Sequence, residues 1–237
     1  MVGLDPFPDR VDDPEAFCKG IVDAVAPYAV AVKPQSAFFE VRGWKGVRAL
    51  ESVCAYARGA GLLVIADVKR GDIGTTAQAY VDAVRPHADA ATVNPYLGGD
   101  SLQPFLEACR DGFGIFVLVK TSNPGSGDVQ DAPLADGRRV WELVAERVAQ
   151  WGQEAPSVGA VVGATYPDEL ATARALLPHA LLLLPGVGAQ GATVADCAPA
   201  FTGPALVSSS RTVIFADDPA AEAKRLAREV WDVARAA

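Results

Sequence analysis

Two carboxylates and two cations crowd into Asp67-Val68-Lys69-Arg70-Gly71-Asp72, directly after the apolar run Leu62-Leu63-Val64-Ile65-Ala66. Such a run reads as a buried parallel strand. Side chains alternate along a strand, so Asp67 and Lys69 are expected to point to the same side where the strand leaves the core. Neighbouring carboxylates favour the ammonium form of Lys69. That argues against a Schiff-base lysine, whose chemistry starts from the neutral amine. A fixed ammonium can stabilise developing negative charge and then donate a proton. Two carboxylates beside it make a poor seat for an anionic group unless that group is about to leave. A lone D-x-K at a strand end would read as a surface salt bridge; the second acid within one turn favours function.

These residues need a frame. Val2-Gly3-Leu4-Asp5-Pro6 reads as the tail of a short strand ending in an acid. Asp13-Pro14-Glu15 predicts a helix start, with Asp13 as cap and Pro14 in the first position, running to Ala26. A strand over Ala29 to Lys33 and a helix over Trp44 to Ala60, closed by Gly61, lead into the charged strand. Beyond it the pattern predicts a helix from Thr75 to Val84, a strand from Ala88 to Val93 and a helix from Asp100 to Arg110. A strand from Gly114 to Val119 then ends in Lys120. Residues 121 to 136 are polar and without period, the signature of a lid or a disordered loop. Next come a helix from Arg138 to Trp151, a strand from Val158 to Val162, a helix from Pro167 to Leu177 and a strand from Leu181 to Leu184. A short helix over Thr193 to Ala198, a strand over Ala205 to Val207 and a helix over Pro219 to Ala236 close the chain. With no repeat, low-complexity tract or linker, eight strand–helix alternations predict an α/β fold, a (β/α)8 barrel, with residues 1–237 as one domain.

Composition narrows the function classes. The chain has 237 residues, half of them hydrophobic, enough for a large core. Its 29 Asp and Glu against 21 Lys and Arg argue against a general nucleic-acid binder. No apolar run approaches the ~20 residues that cross a bilayer, and no signal peptide is read. Cys18, Cys54, Cys109 and Cys197 are far apart with no C-x-x-C, which predicts reduced thiols and a cytoplasmic setting. His87 and His179 sit near helix ends, so a Ser-His-Asp or histidine-rich metal mechanism is not expected.

In such a barrel the site lies at the C-terminal ends of the strands. Asp5, Lys33, Asp67, Lys69, Asp72, Ser122, Gln190 and Arg211 all fall there, from six different strands. Loops 7 and 8 commonly hold phosphate. Loop 7 is Pro185-Gly186-Val187-Gly188-Ala189-Gln190-Gly191, whose glycines let backbone N–H groups approach an anion, though alone it could be a flexible turn. Loop 8 adds Arg211, whose planar fork suits phosphate oxygens. Together they favour a phosphate monoester site.

The segment IADVKRGDIGTTAQAY resembles the D-x-K-x-x-D-I-x-x-T signature of the orotidine 5'-monophosphate decarboxylases. VKPQSAFFE, VNPYLGGDSLQPF, KTSNPG, PGVGAQG and SSSR resemble, in order, the matching segments of the bacterial subgroup with long loops, from Gly3 to Phe215. The resemblance implies decarboxylation of orotidine 5'-monophosphate (OMP) to UMP in pyrimidine synthesis, without metal or cofactor. Lys69 would protonate C6 of the pyrimidine as carbon dioxide leaves. Asp67 would face the substrate carboxylate, by repulsion or by electrostatic preorganisation. Asp5 and Lys33 would hold ribose hydroxyls. Ser122 and Gln190 would contact the pyrimidine, with Gln190 and Pro185 in the loop that reaches toward the phosphate held by Arg211. Asp72 and Thr76 would enter a neighbouring subunit's site, which implies a homodimer with two shared sites. Relatives carry residues upstream of the first strand, so either the start is misassigned or that strand and the lower cap are expected to be truncated. Magnesium-dependent sugar-phosphate decarboxylases or aldolases of the same superfamily are the nearest rival. They carry a metal-binding carboxylate at the end of strand 2, where this chain has Lys33. A non-catalytic phosphometabolite-binding barrel is a second rival, opposed by the intact Lys69 and its acids.

Overall fold

A computed structural model describes residues 1–237. The elements run β1 (Val2–Leu4), α1 (Pro14–Val25), β2 (Ala31–Pro34), α2 (Ala37–Glu40), α3 (Gly43–Gly59), β3 (Leu63–Arg70) and α4 (Gly74–Val84). They continue with β4 (Ala90–Val93), α5 (Gly99–Arg110), β5 (Gly114–Lys120), α6 (Gly127–Gln130), α7 (Val140–Glu154) and β6 (Val158–Val162). The last are α8 (Pro167–Leu176), β7 (Leu182–Leu184), β8 (Ala205–Val207), α9 (Arg211–Ile214) and α10 (Pro219–Ala236). All eight strands are parallel and pair in sequence order. The ring closes where Val2 bridges Ser209 and the Gly3 N–H donates to the Ser209 carbonyl at 2.8 Å. The Met1 ammonium adds a bond to the Val207 carbonyl at 3.0 Å. This is the expected (β/α)8 barrel, and no helix is long and apolar enough to cross a membrane.

Local chemistry explains the elements. Asp13 accepts from the Glu15 and Ala16 N–H groups, both at 3.0 Å, and Pro14 opens α1. Asp218 and Pro219 start α10 in the same way. Outward-facing residues such as Leu4, Val64, Val117 and Leu184 pack under the helices. Inside the barrel Ala31, Ile65, Ala90, Phe116, Val161 and Leu183 form a plug of only six buried residues. It fills the lower end and leaves the upper end open.

Four expectations change in detail. The polar segment after β5 is ordered: a 3-10 turn (Pro124–Ser126) and α6 fold it back. The Lys120 ammonium, 1% exposed, ties it down by donating to Asp131 at 2.7 and 2.8 Å. Two short helices, α2 and α9, were not expected, being too short to show a period. The segment before β8 is a 3-10 helix (Ala195–Thr202) interrupted by Pro199, where a short α-helix was expected. In β3 the strand does not stay regular. Lys69 has φ 45°, the one non-glycine residue with positive φ, and the register to β4 shifts between Ala66 and Arg70.

The lower end is stitched by Arg174, a buried cation with no carboxylate partner. Its guanidinium donates to the carbonyls of Ala200 at 3.0 Å, Leu177 at 2.7 Å and Ala180 at 3.0 Å, and also to that of Pro204. Arg174→Ala strands these carbonyls and is expected to lower stability by roughly 3 kcal/mol in urea unfolding. A loss well below 1 kcal/mol would mean that water replaces the guanidinium without penalty.

Candidate active site

Above the six-residue plug opens a cavity of about 390 Å³, floored by Leu118, Val161 and Leu183. Eight of the ten residues singled out from the sequence line it: Asp5, Lys33, Asp67, Lys69, Ser122, Pro185, Gln190 and Arg211. Asp72 and Thr76 do not. Asp72 sits on the turn before α4 with its carboxylate on the Ile73 N–H at 2.8 Å, and Thr76 is exposed in the first turn of α4. Thr76 faces outward from its own barrel because α4 buries Ala77 and Val81 instead.

Asp67 is the electrostatic centre. It is 4% exposed and accepts from Lys33 Nζ through one oxygen and from Lys69 Nζ through the other. Thr92 Oγ1 adds a hydrogen bond to Oδ1 at 3.1 Å. Burial alone would raise the carboxyl pKa. The two ammonium charges and their hydrogen bonds outweigh it and hold Asp67 at about 2. The Lys33 side chain is nearly buried, whereas that of Lys69 is 46% exposed and reaches into the open cavity. Asp5, on the chain just beyond β1, takes the Ser210 hydroxyl on Oδ2 and leaves a buried Oδ1 without a partner. Asp5 as a residue lines the cavity.

The opposite wall is built from loops. Gly163 lets the β5 loop come close: a Cβ there would meet Ser122 Cα at 2.8 Å. Thr165 Oγ1 donates to the Ser122 carbonyl at 3.2 Å. Gln130 holds Thr121 by bonds of 2.9 and 2.8 Å. In loop 7, Gly188 has φ 85°, and a Cβ would meet Thr212 Oγ1 at 2.4 Å, so this loop lies directly against α9. Arg211 opens α9, lines the cavity and pairs with no carboxylate of the chain. A glycine-lined loop beside an unpaired guanidinium suits a phosphate dianion.

Gln35, Thr92, Thr121, Asn123, Ser208 and Ser210 also line the cavity, beyond the residues the sequence pointed to. Thr92 and Ser208 follow a signal the sequence does hold, inward alternation at the upper ends of β4 and β8. Neutral side chains give no charge pattern to flag them. No cluster of three His, Cys, Asp or Glu comes together as a metal site. His87 lies 3.6 Å from Glu51, away from the cavity.

Stability should report the Asp67 clamp. A carboxyl held at about 2 when folded and near 3.8 when free stabilises the fold above the higher value. The contribution is lost as pH falls from the higher value through the lower. It amounts to about 2 kcal/mol at 1.36 kcal/mol per unit. Urea unfolding between neutral and acid pH should show this loss in the wild type and not in Asp67→Asn; parallel curves would contradict it.

Residues 1–226 match the model of the "Orotidine 5'-phosphate decarboxylase / HUMPS family". The orotidine 5'-phosphate decarboxylase of Deinococcus radiodurans is 52% identical over 233 residues, covering 91% of this chain and 83% of that protein. The protein of the same name from Roseiflexus castenholzii is 46% identical over 253 residues, covering 100% and 92%. The solved structure of Leishmania donovani OMP decarboxylase superimposes with a TM-score of 0.89 at 39% identity, covering 99% of this chain and 93% of that one.

Proposed function

The chain belongs to the orotidine 5'-phosphate decarboxylase / HUMPS family, and on that premise we propose that this enzyme converts OMP to UMP and carbon dioxide in pyrimidine synthesis, with no metal or organic cofactor. The observation that carries the reading is the buried Asp67 clamped between Lys33 and Lys69 across the cavity from Arg211.

OMP enters with its phosphate toward Arg211 and the loop 7 backbone. Gln190 bridges the phosphate and the base, Pro185 packs beside it, and Ser122 contacts the pyrimidine. Asp5 and Lys33 hold ribose hydroxyls. The C6 carboxylate then lies at Asp67 and Lys69. The C6–carboxylate bond breaks, carbon dioxide leaves, and its bonding pair stays on C6. Lys69 Nζ gives up one proton to that carbon, and solvent reprotonates the amine. Lys33, Lys69 and Asp67 together carry a formal charge of +1, which softens any repulsion of the substrate carboxylate. The triad therefore acts by holding an ammonium in place before charge develops at C6, where preorganised dipoles and charges contribute most. The energy of phosphate binding, remote from C6, is available to close the loops over the reacting group.

Asp72 and Thr76 complete the site of a second copy, which makes the working unit a homodimer. Their outward position at α4 supports this, as do the exposed Trp44, Ile73 and Tyr96, which follow β2, β3 and β4 on the same rim. Four free, buried cysteines fit a reducing cytoplasm. Lys33 in place of a carboxylate at the end of β2 disfavours the magnesium-dependent rival.

A spectrophotometric assay of OMP loss, run with and without EDTA, tests the reading. Turnover unchanged by EDTA supports it; no turnover, or turnover lost with EDTA, refutes it. Lys69→Ala is expected to abolish turnover while UMP binding stays measurable by calorimetry, and near-normal turnover would remove Lys69 as proton donor. Arg211→Ala is expected to weaken UMP binding by about 10- to 100-fold, the loss of one or two charge-assisted hydrogen bonds. Unchanged affinity would place the phosphate elsewhere.

A further inference from the structure

Thr92 occupies the third position of β4 and is 2% exposed. Its Oγ1 accepts the Val68 N–H at 3.1 Å and the Lys69 N–H at 2.9 Å, and donates to Asp67 Oδ1 at 3.1 Å. A hydroxyl has one proton and two lone pairs, so its bonding capacity is fully used. The direction is also fixed, because two N–H donors leave the hydroxyl proton only the carboxylate to bind.

These bonds replace a missing piece of ladder. The pairing of β3 with β4 lapses between Ala66 and Arg70 and resumes where the Asn94 N–H donates to the Arg70 carbonyl at 2.7 Å. Within that gap the Val68 and Lys69 amides would have no strand partner, and Thr92 takes both. The gap also contains the left-handed Lys69, at φ 45°. Such a conformation is strained for a non-glycine residue and persists where its surroundings over-determine it.

We propose that Thr92 is a positioning residue: its hydroxyl holds the Lys69 backbone in the left-handed conformation and pins one oxygen of Asp67, so that the Lys69 ammonium is aimed before substrate arrives. This rests on the reading of the site as a decarboxylase. Lys33 on β2 and Lys69 on β3 supply the charges that face Asp67, and Asp5 beyond β1 lines the same cavity; Thr92 adds direction without charge.

Thr92→Val keeps the shape and removes the hydroxyl, while Thr92→Ser keeps the hydroxyl and removes the methyl. Thr92→Val is expected to lower kcat at least tenfold, with KM for OMP and the UMP dissociation constant within threefold of wild type. Thr92→Ser should stay within threefold of wild-type kcat. A valine variant with near-wild-type kcat would overturn the proposal, as would a rise in KM that accounts for the loss or a serine variant as impaired as the valine. If the valine variant does not fold, Thr92→Cys, with its weak donor and acceptor, takes its place under the same criteria. Amide hydrogen exchange separates this claim from the functional reading. Val68 and Lys69 amides should exchange at least tenfold faster in Thr92→Val than in the wild type, even if the wild type fails to decarboxylate OMP. Equal protection in both would overturn the positioning role whatever the reaction.

Discussion

The ion cluster of Lys33, Asp67 and Lys69 is the constraint on which the upper half of the barrel depends. A carboxylate at 4% exposure is tolerable only when both oxygens are satisfied by charge. The chain achieves this with lysines from β2 and β3 and a hydroxyl from β4. Three neighbouring strands must therefore bring inward residues together, with Asp67 bridging Gln35 on the β2 side and the β3–β4 pairing lapsing beside it. With both Asp67 oxygens satisfied, Lys69 is the solvent-facing member of the cluster.

The barrel divides its labour by height. Below, a six-residue apolar plug and the Arg174 web of carbonyl contacts give cohesion without chemistry. Above, the inward positions turn polar and the apolar core ends, so that a cavity forms there. Loop 7 and the start of α9 approach closely enough that only glycine fits at residue 188. The β5 loop is held from behind by the Lys120–Asp131 pair, which lets Ser122 and Asn123 stand at the rim without depending on a bound ligand for their order.

Strain sits where function is concentrated. The single left-handed non-glycine residue is also the lysine that reaches into the cavity. A regular β3 would also turn residues 67 and 69 to one face. The break adds freedom to set the height and direction of Lys69 independently of the pleat. Such freedom has to be restrained, and the neighbouring strand does so with a single hydroxyl.

Much of this was legible in the sequence. Apolar runs bounded by helix caps gave the alternation, because strand and helix periods are local properties of the chain. The charged residues at strand ends announced the mouth, because ionised groups are rarely placed at the end of a buried strand without use. Neighbours in space were not legible. Thr92, Ser208 and Ser210 are small and neutral, and their roles follow from which strand lies beside which and at what register. The order of residues 121 to 136 was equally hidden, since it depends on Lys120 meeting Asp131 through a fold in the loop. The sequence by itself determined the elements and the chemistry available at their ends. Only the tertiary structure decided which carboxylate oxygen meets which amine, that Asp72 and Thr76 stand outside their own cavity, and that Lys69 leaves the pleat. Those outcomes depend on distances between strands, and no residue's type or spacing along the chain encodes them.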